Sequence, residues 1–462
     1  MDEYTWLALL AAFIIPAIGW LLRELHFRRE RKIKATTDAT KILKDQIADI
    51  EKAISKTDDI SRKEELLTQL DRKNDQLRGL NAINLRRTLK DADLSEDMLA
   101  REGRTPLQPQ QVNELKKEIA AVESLPPSDS IQDLLTLANA YYYSGQYKDA
   151  KDVYGKILIS HPDDPEALNN RGLTYSKLEK YDEALADFNR SLELGPDDPV
   201  ILNNRGLTYH ELGKYNEALT DYNRVLELKP DYTVALNNRG STYGEVGKYD
   251  EAFTDYNRAL ELKPDYTVAL NNRGSTYGEV GKYDEALADF NRALELRPDD
   301  PDTLSNRGST YDKLGKYDEA LADFNRALEL KPDDPDTPYN RGSTYYNLER
   351  YDDALTDLNR SLEMRPDNPA AFNDRGVAYI KLGRYDDALA DLNRSLKIRP
   401  DDAYIPYNLA CLFSLWGKTK DALDYLKKAV DKDEEWREEA KTDEDFDNIR
   451  KDPRFKKLVG ED

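Results

Sequence analysis

Residues 165–198 read PEALNNRGLTYSKLEKYDEALADFNRSLELGPDD, and this stretch decides the fold because the chain repeats it. The run TVALNNRGSTYGEVGKYDEA occurs identically from Thr233 and from Thr267, so the period is 34 residues. Units in register begin at 131, 165, 199, 233, 267, 301, 335, 369 and 403. In the second unit the fixed offsets are held by Leu168, Gly172, Tyr175, Ala184, Phe188 and Pro196. Small residues recur together as Gly172 with Ala184, Gly206 with Ala218, Gly240 with Ala252 and Gly274 with Ala286. That pattern suits two antiparallel helices at close approach, where a leucine would overpack at a cost of about 1–3 kcal/mol. Pro196, Pro230, Pro264, Pro298, Pro332, Pro366 and Pro400 end the second helix of a unit, since proline cannot continue it. Gly213, Gly247, Gly281, Gly315 and Gly383 serve the turn inside the hairpin. Glu179 and Glu349 stand at that place in two units, where a different turn is expected. Pro338 and Pro406 fall in a helix's first turn, where proline is tolerated, and less regular stacking is expected of units seven and nine. No unit buries its apolar face alone; stacking buries it.

These offsets resemble the tetratricopeptide repeat, over residues 131–436. The resemblance implies an all-α fold, a right-handed superhelix (solenoid) of nine helical hairpins. Their bounds are 131–164, 165–198, 199–232, 233–266, 267–300, 301–334, 335–368, 369–402 and 403–436. Residues 437–462 read as a capping segment, with Phe446, Ile449, Phe455 and Leu458 available to cover the last hairpin.

The same resemblance implies that the first helix of each hairpin lines a concave groove for other proteins. Sixth-position asparagines recur there as Asn170, Asn204, Asn238, Asn272, Asn306, Asn340 and Asn408, with Asp374 in place of one. Fifth-position asparagines add Asn169, Asn203, Asn237, Asn271 and Asn373. The ladder is similar to those of the O-GlcNAc transferase repeats and importin alpha, which makes these residues candidate peptide-binding groups. A carboxamide offers both a donor and an acceptor, so it reads main chain without regard to sequence. The plainer reading is that asparagine is common in such repeats. The carboxylate clamp of chaperone-binding repeats needs a fifth-position lysine, and this sequence has Asn, Ser or Tyr there. Glu211, Glu245 and Glu279 suggest a neutral-to-acidic lining that prefers neutral or basic ligands. Arginine at the seventh position pairs in register with aspartate at the twenty-third: Arg171 with Asp187, and likewise through Arg375 with Asp391. Ion pairing between helices accounts for this pattern better than a ligand-binding ladder, because planar guanidinium–carboxylate pairs suit partly buried contacts.

Ahead of the repeats, residues 4–22 (YTWLALLAAFIIPAIGWLL) carry no charge. Trp6 and Trp20 lie near the two ends, and Pro16 lies within. This length is expected to form one transmembrane helix. Arg23, Arg28, Arg29, Arg31, Lys32 and Lys34 follow it, so the expected protein is single-pass, with the N-terminus outside and the repeats cytoplasmic. Residues 35–90 read as a helical stalk, either a short coiled coil or a helical hairpin. Leu43, Ile47, Ile50 and Ile54 form one apolar run in it, and Leu66, Leu70, Leu77 and Leu80 a second. A homodimer through this stalk is a further expectation. Residues 91–130 read as a linker with a helix over 110–125, closed by Pro126 and Pro127.

Composition narrows the function. The 90 acidic residues outnumber 68 basic ones, and a formal charge of −22 disfavours nucleic acid as a partner. Cys411 is the only cysteine, so no intrachain disulfide forms, and the three histidines are scattered without metal-ligand spacing. No phosphate-binding loop, zinc-protease motif or nucleophile elbow occurs, and neither cofactor nor enzymatic activity is expected. The expected function is a membrane-anchored scaffold or adaptor for partner proteins. The alternatives are a protein-targeting receptor and an oligomeric membrane assembly factor.

Overall fold

A computed structural model describes residues 15–57, 59–91, 107, 109–124 and 130–461. Among these the chain is all-α and divides into two units, Met1–Thr242 and Tyr243–Asp462. The first unit opens with α1 (Ile15–Ile54), α2 (Ile60–Asp91) and α3 (Pro109–Glu123). Hairpins follow at Ile131–Tyr143 with Tyr147–Ser160, Pro165–Lys177 with Tyr181–Leu194, and Pro199–Glu211 with Tyr215–Leu228. The division between the units falls inside the next helix, Thr233–Glu245. The second unit continues with Tyr249–Leu262 and then with hairpins from Thr267, Pro301, Asp336, Pro369 and Tyr404. It ends in helices Glu435–Thr442 and Pro453–Val459 around a short turn of tighter helix at Glu444–Phe446.

Local chemistry sets the helix bounds. Asp164, Asp198, Asp300 and Asn368 cap first helices by accepting from their opening backbone N–H groups, each followed by proline at the first helical position. Inside the hairpin the chain turns through a left-handed residue, with φ between 68° and 79° at Gly145, Gly213, Gly247, Gly281, Gly315, Gly383 and Gly417. Contrary to the expectation of a different turn, Glu179 and Glu349 adopt the same conformation, each at φ 58°. The closing bond is also kept: Lys180 N–H donates to Tyr175 O at 2.9 Å, as Lys214 does to Tyr209 O at 2.8 Å.

The crossing of the two helices is filled by a large apolar side chain, an aromatic ring over Gly172, Gly206, Gly274 and Gly308, rather than by direct backbone contact. A β-carbon on Gly172 would lie 2.7 Å from Phe188, and one on Gly206 would lie 2.8 Å from Tyr222. Leu358 and Leu392 fill the same place over Gly342 and Gly376. Ala184, Ala218, Ala252, Ala286, Ala320, Ala354 and Ala388 are all fully buried beside these contacts. Pro338 and Pro406 are buried within the opening turns of helices Asp336–Asn347 and Tyr404–Leu415, and neither helix is interrupted. Charged residues of the second helices largely pair on the surface, as Arg190 does with Asp163 at 2.6 Å and Glu193 at 2.7 Å.

The anchor expectation is corrected here. Among the described residues no helix is long and apolar enough to cross a membrane. Residues 4–14 of the expected span lie outside those described. Residues 15–22 form the opening of α1, which runs 40 residues to Ile54 through Arg23, Glu24, Arg28, Arg29, Glu30, Arg31 and Lys32. The charged residues from Arg23 onward leave the rest of α1 without the roughly 20 apolar residues a bilayer needs. The single-pass topology is corrected with it, and the membrane as a partner through residues 4–22 finds no support among the described residues.

The homodimer is likewise unsupported. α1 and α2 pair as an antiparallel hairpin within one chain. The residues of both apolar runs, from Leu43 to Leu80, are buried or half-buried there. Further along α2, Leu85 and Leu89 pack with Leu115 and Ile119 of α3 and with Leu135 and Ala138 of the first repeat. Arg86 reaches Asp133 of that repeat at 2.6 Å, and Asn81 donates to Ala121 O of α3 at 2.9 Å. At the other end Phe446, Phe455 and Val459 are fully buried against the last hairpin.

Candidate functional site

First helices hold the polar residues that the sequence singled out. Seventh-position arginines grip the twenty-third-position aspartates of their own hairpins with two parallel bonds. The distances are 2.7 and 2.7 Å for Arg171–Asp187, 2.7 and 2.7 Å for Arg307–Asp323, and 2.6 and 2.9 Å for Arg375–Asp391. These aspartates are buried, and the carboxylate beside each guanidinium raises the arginine's pKa. The third nitrogen of the fork reaches an asparagine of the preceding repeat, as Arg239 Nη1 reaches Asn223 at 2.7 Å and Arg307 Nη1 reaches Asn291 at 2.7 Å. Sequence reasoning missed these twenty-fifth-position asparagines; the signal was their recurrence one residue before Arg190, Arg224, Arg258 and Arg292.

The fifth- and sixth-position asparagines are turned toward one another. Asn204 Nδ2 donates to Asn169 Oδ1 at 3.0 Å, Asn238 to Asn203 at 3.3 Å, Asn306 to Asn271 at 3.1 Å and Asn408 to Asn373 at 2.8 Å. Asn170 donates to Asn139 of the first repeat at 3.3 Å. Within a repeat Asn169 donates to Asn170 at 3.0 Å and Asn237 to Asn238 at 3.1 Å. Asn169, Asn170, Asn203, Asn204, Asn237, Asn238, Asn373 and Asn408 are buried; Asn271, Asn272, Asn306 and Asn340 are half-buried. As placed, this ladder joins repeat to repeat, and a peptide would reach most of it only by displacing those bonds.

Beside the ladder the half-buried Ser176 and His210 each meet a buried threonine of the next repeat. Ser176 and Thr208 meet at 2.9 Å, and so do His210 and Thr242. Glu211 in the first unit, and Glu245 and Glu279 in the second, are exposed at the thirteenth position. Although Glu279 is exposed as a residue, partial desolvation of its carboxyl, with the Glu245 charge adding to it, raises its pKa. In the first unit Asn223, Leu226, Glu227, Pro230, Leu236 and Arg239 line a surface groove of about 480 Å³.

Cys411 lies in the buried cluster under the C-terminal segment. Its sulfur and the carboxylates of Asp443 and Asp445 are within 4.8 Å of one another. Tyr407 donates to Asp443 at 2.7 Å and Lys381 to Asp445 at 3.2 Å, so protein donors already engage both carboxylates. Burial first, and then these acids, push the thiol's pKa up, which keeps it protonated and a poor nucleophile.

Such hairpins, with a glycine under an aromatic ring and a left-handed turn, define a class, and comparison with known proteins names it. Models described as Tetratricopeptide repeat match residues 197–265, 231–299 and 265–333, and residues 135–199 and 339–403. The chain belongs to the tetratricopeptide-repeat family. It is similar to the crystal structure of the APC/C hetero-tetramer Cut9–Hcn1, with a TM-score of 0.57 and 17% identity over 85% of this chain and 74% of that one. A tetratricopeptide repeat protein from Parabacteroides merdae matches at 0.46 and 23% identity, over 54% of this chain and 98% of that one. A thermophilic TPR protein in Thermus thermophilus matches at 0.37 and 30% identity, over 39% of this chain and 99% of that one. No curated protein matches the chain.

Proposed function

We propose that the chain is a non-catalytic scaffold that binds extended segments of partner proteins along the first helices of its repeats. The observation that carries this reading is the division of roles on those helices. Fifth to seventh positions are committed to neighbouring helices, whereas Glu211, Glu245 and Glu279 recur exposed at one register. Acidic groups repeated in this way favour neutral or basic segments. The candidate asparagines, among them Asn204, Asn238 and Asn306, would join in by exchanging a rung bond for a main-chain one.

Photo-crosslinking tests the reading. A photoreactive residue is placed at Glu245 or Glu279, and for comparison at the exposed Arg258 on a second helix. Partner adducts are expected from the first two sites. Adducts from Arg258 alone, or turnover of a small molecule by the purified chain, would defeat the proposal.

A further inference from the structure

The thirteenth position of the first helices carries a charge order that reverses within the second unit. From repeat four to repeat eight the row reads Glu245, Glu279, Lys313, Asn347 and Lys381. All of them are exposed. Glu245, Glu279 and Lys313 form no ion pair among the described residues. Arginines of the second helices, by contrast, find partners, as Arg292 does in Glu295 at 2.8 Å and Arg326 in Asp299 at 2.7 Å. The two glutamates also have open floor beside them at the twelfth position. A β-carbon on Gly278 would meet nothing within 4 Å, and one on Gly244 only Thr276 Oγ1 at 3.7 Å.

The last member of the row shows how such a charge is met. Lys381 Nζ donates to Asp445 Oδ1 at 3.2 Å, and Asp445 belongs to the chain's own C-terminal segment. Two residues earlier Asp443, with extended backbone at φ −66° and ψ 121°, accepts from Tyr407 at 2.7 Å. Tyr407 holds the fifth position of repeat nine. A short run of the chain thus lies against successive first helices and meets a thirteenth-position lysine with a carboxylate. Lys313 is the same side chain at the same register, without such a partner among the described residues. Packed helices lie about 10 Å apart and an extended segment advances about 3.3 Å per residue, so successive members of the row meet residues about three apart. Opposite charges facing each other fix a segment's register, and like charges facing each other exclude it.

We propose that the partner segment bound along the second unit has a fixed charge order: a basic side chain at Glu245, another at Glu279 and an acidic one at Lys313. This inference rests on the peptide-binding reading above and adds the charge order and register of the bound segment.

The test is selection from a random twelve-residue peptide library on the purified full-length chain and on Lys313→Glu. Glutamate is the residue that repeats three to five carry at this place, so the variant keeps the local fold. Peptides selected by the wild type are expected to carry two basic residues and one acidic residue at intervals of about three residues. Lys313→Glu is expected to bind such a peptide about tenfold more weakly, and lysine in place of the peptide's acidic residue is expected to restore the affinity. Selected peptides with no acidic residue at a fixed distance from a basic one, or equal affinity for wild type and Lys313→Glu, would overturn this charge order and leave the peptide-binding reading standing. If the wild type selects no peptide at all, that reading fails and the charge order fails with it.

Discussion

Arg205 holds Asp221 through Nε at 2.8 Å and Nη2 at 2.6 Å, while its Nη1 donates to Asn189 of the preceding repeat at 2.8 Å. One side chain thereby ties together three helices, and the aspartate it grips is buried. Asp221→Ala leaves the guanidinium without its counter-charge in a mostly buried setting, and the expected loss is about 3 kcal/mol. Arg190→Ala, which breaks an exposed pair with Asp163, is expected to cost no more than about 1 kcal/mol. Urea unfolding of both variants checks the difference, and equal losses would mean that the inner pair is no more structural than the outer one.

Glu179 and Glu349 occupy left-handed turns at φ 58° where other repeats carry glycine. A side chain in that conformation is strained by roughly 1–2 kcal/mol, and glycine recovers part of this against its greater freedom in the unfolded chain. Glu179→Gly and Glu349→Gly are each expected to stabilise the protein by about 0.5–1 kcal/mol, read as a rise in the urea midpoint. Glycine replaced by alanine at Gly281 (φ 76°) is expected to act in the opposite direction.

Asn204 is fully buried, and its Nδ2 supplies the bond that Asn169 Oδ1 accepts. Asn204→Ala removes this rung and strands a buried acceptor, for an expected loss of about 1–3 kcal/mol. A stability loss with unchanged peptide affinity assigns the ladder to repeat stacking. Unchanged stability with lost affinity assigns it to ligand.

Asp374 makes stability depend on pH in a definite direction. Burial raises its carboxyl pKa in the folded chain, although hydrogen bonds from Tyr339 and Asn373 oppose the rise. The folded state therefore binds this proton more readily than the unfolded state. The stabilising contribution is complete below the ordinary carboxylate value of about 4 and is lost as pH rises through the raised one. Asp374→Asn is expected to be more stable than wild type at about pH 7, with the gap narrowing toward about pH 4. Urea midpoints at both pH values measure it; a gap that does not change would show that the carboxylate is not desolvated.

The hairpin itself was legible from residue order because its determinants are local. Proline bounds, turn glycines, and a glycine sixteen residues before an aromatic all act within one unit, and so does the Arg–Asp pair at the same spacing. Contacts at 35 residues, such as Asn204 with Asn169, exist only because one unit stacks on the next. Sequence could place those asparagines on first helices but could not say which way their carboxamides turn. Stacking buried them against each other, since a carboxamide removed from water needs a partner. Apolar count alone suggested an anchor before residue 23, whereas the described helix runs on through charged residues and brings too short an apolar length. The amino-acid order thus determined what each repeat is; packing between repeats decided which of its polar groups remain free to meet anything else.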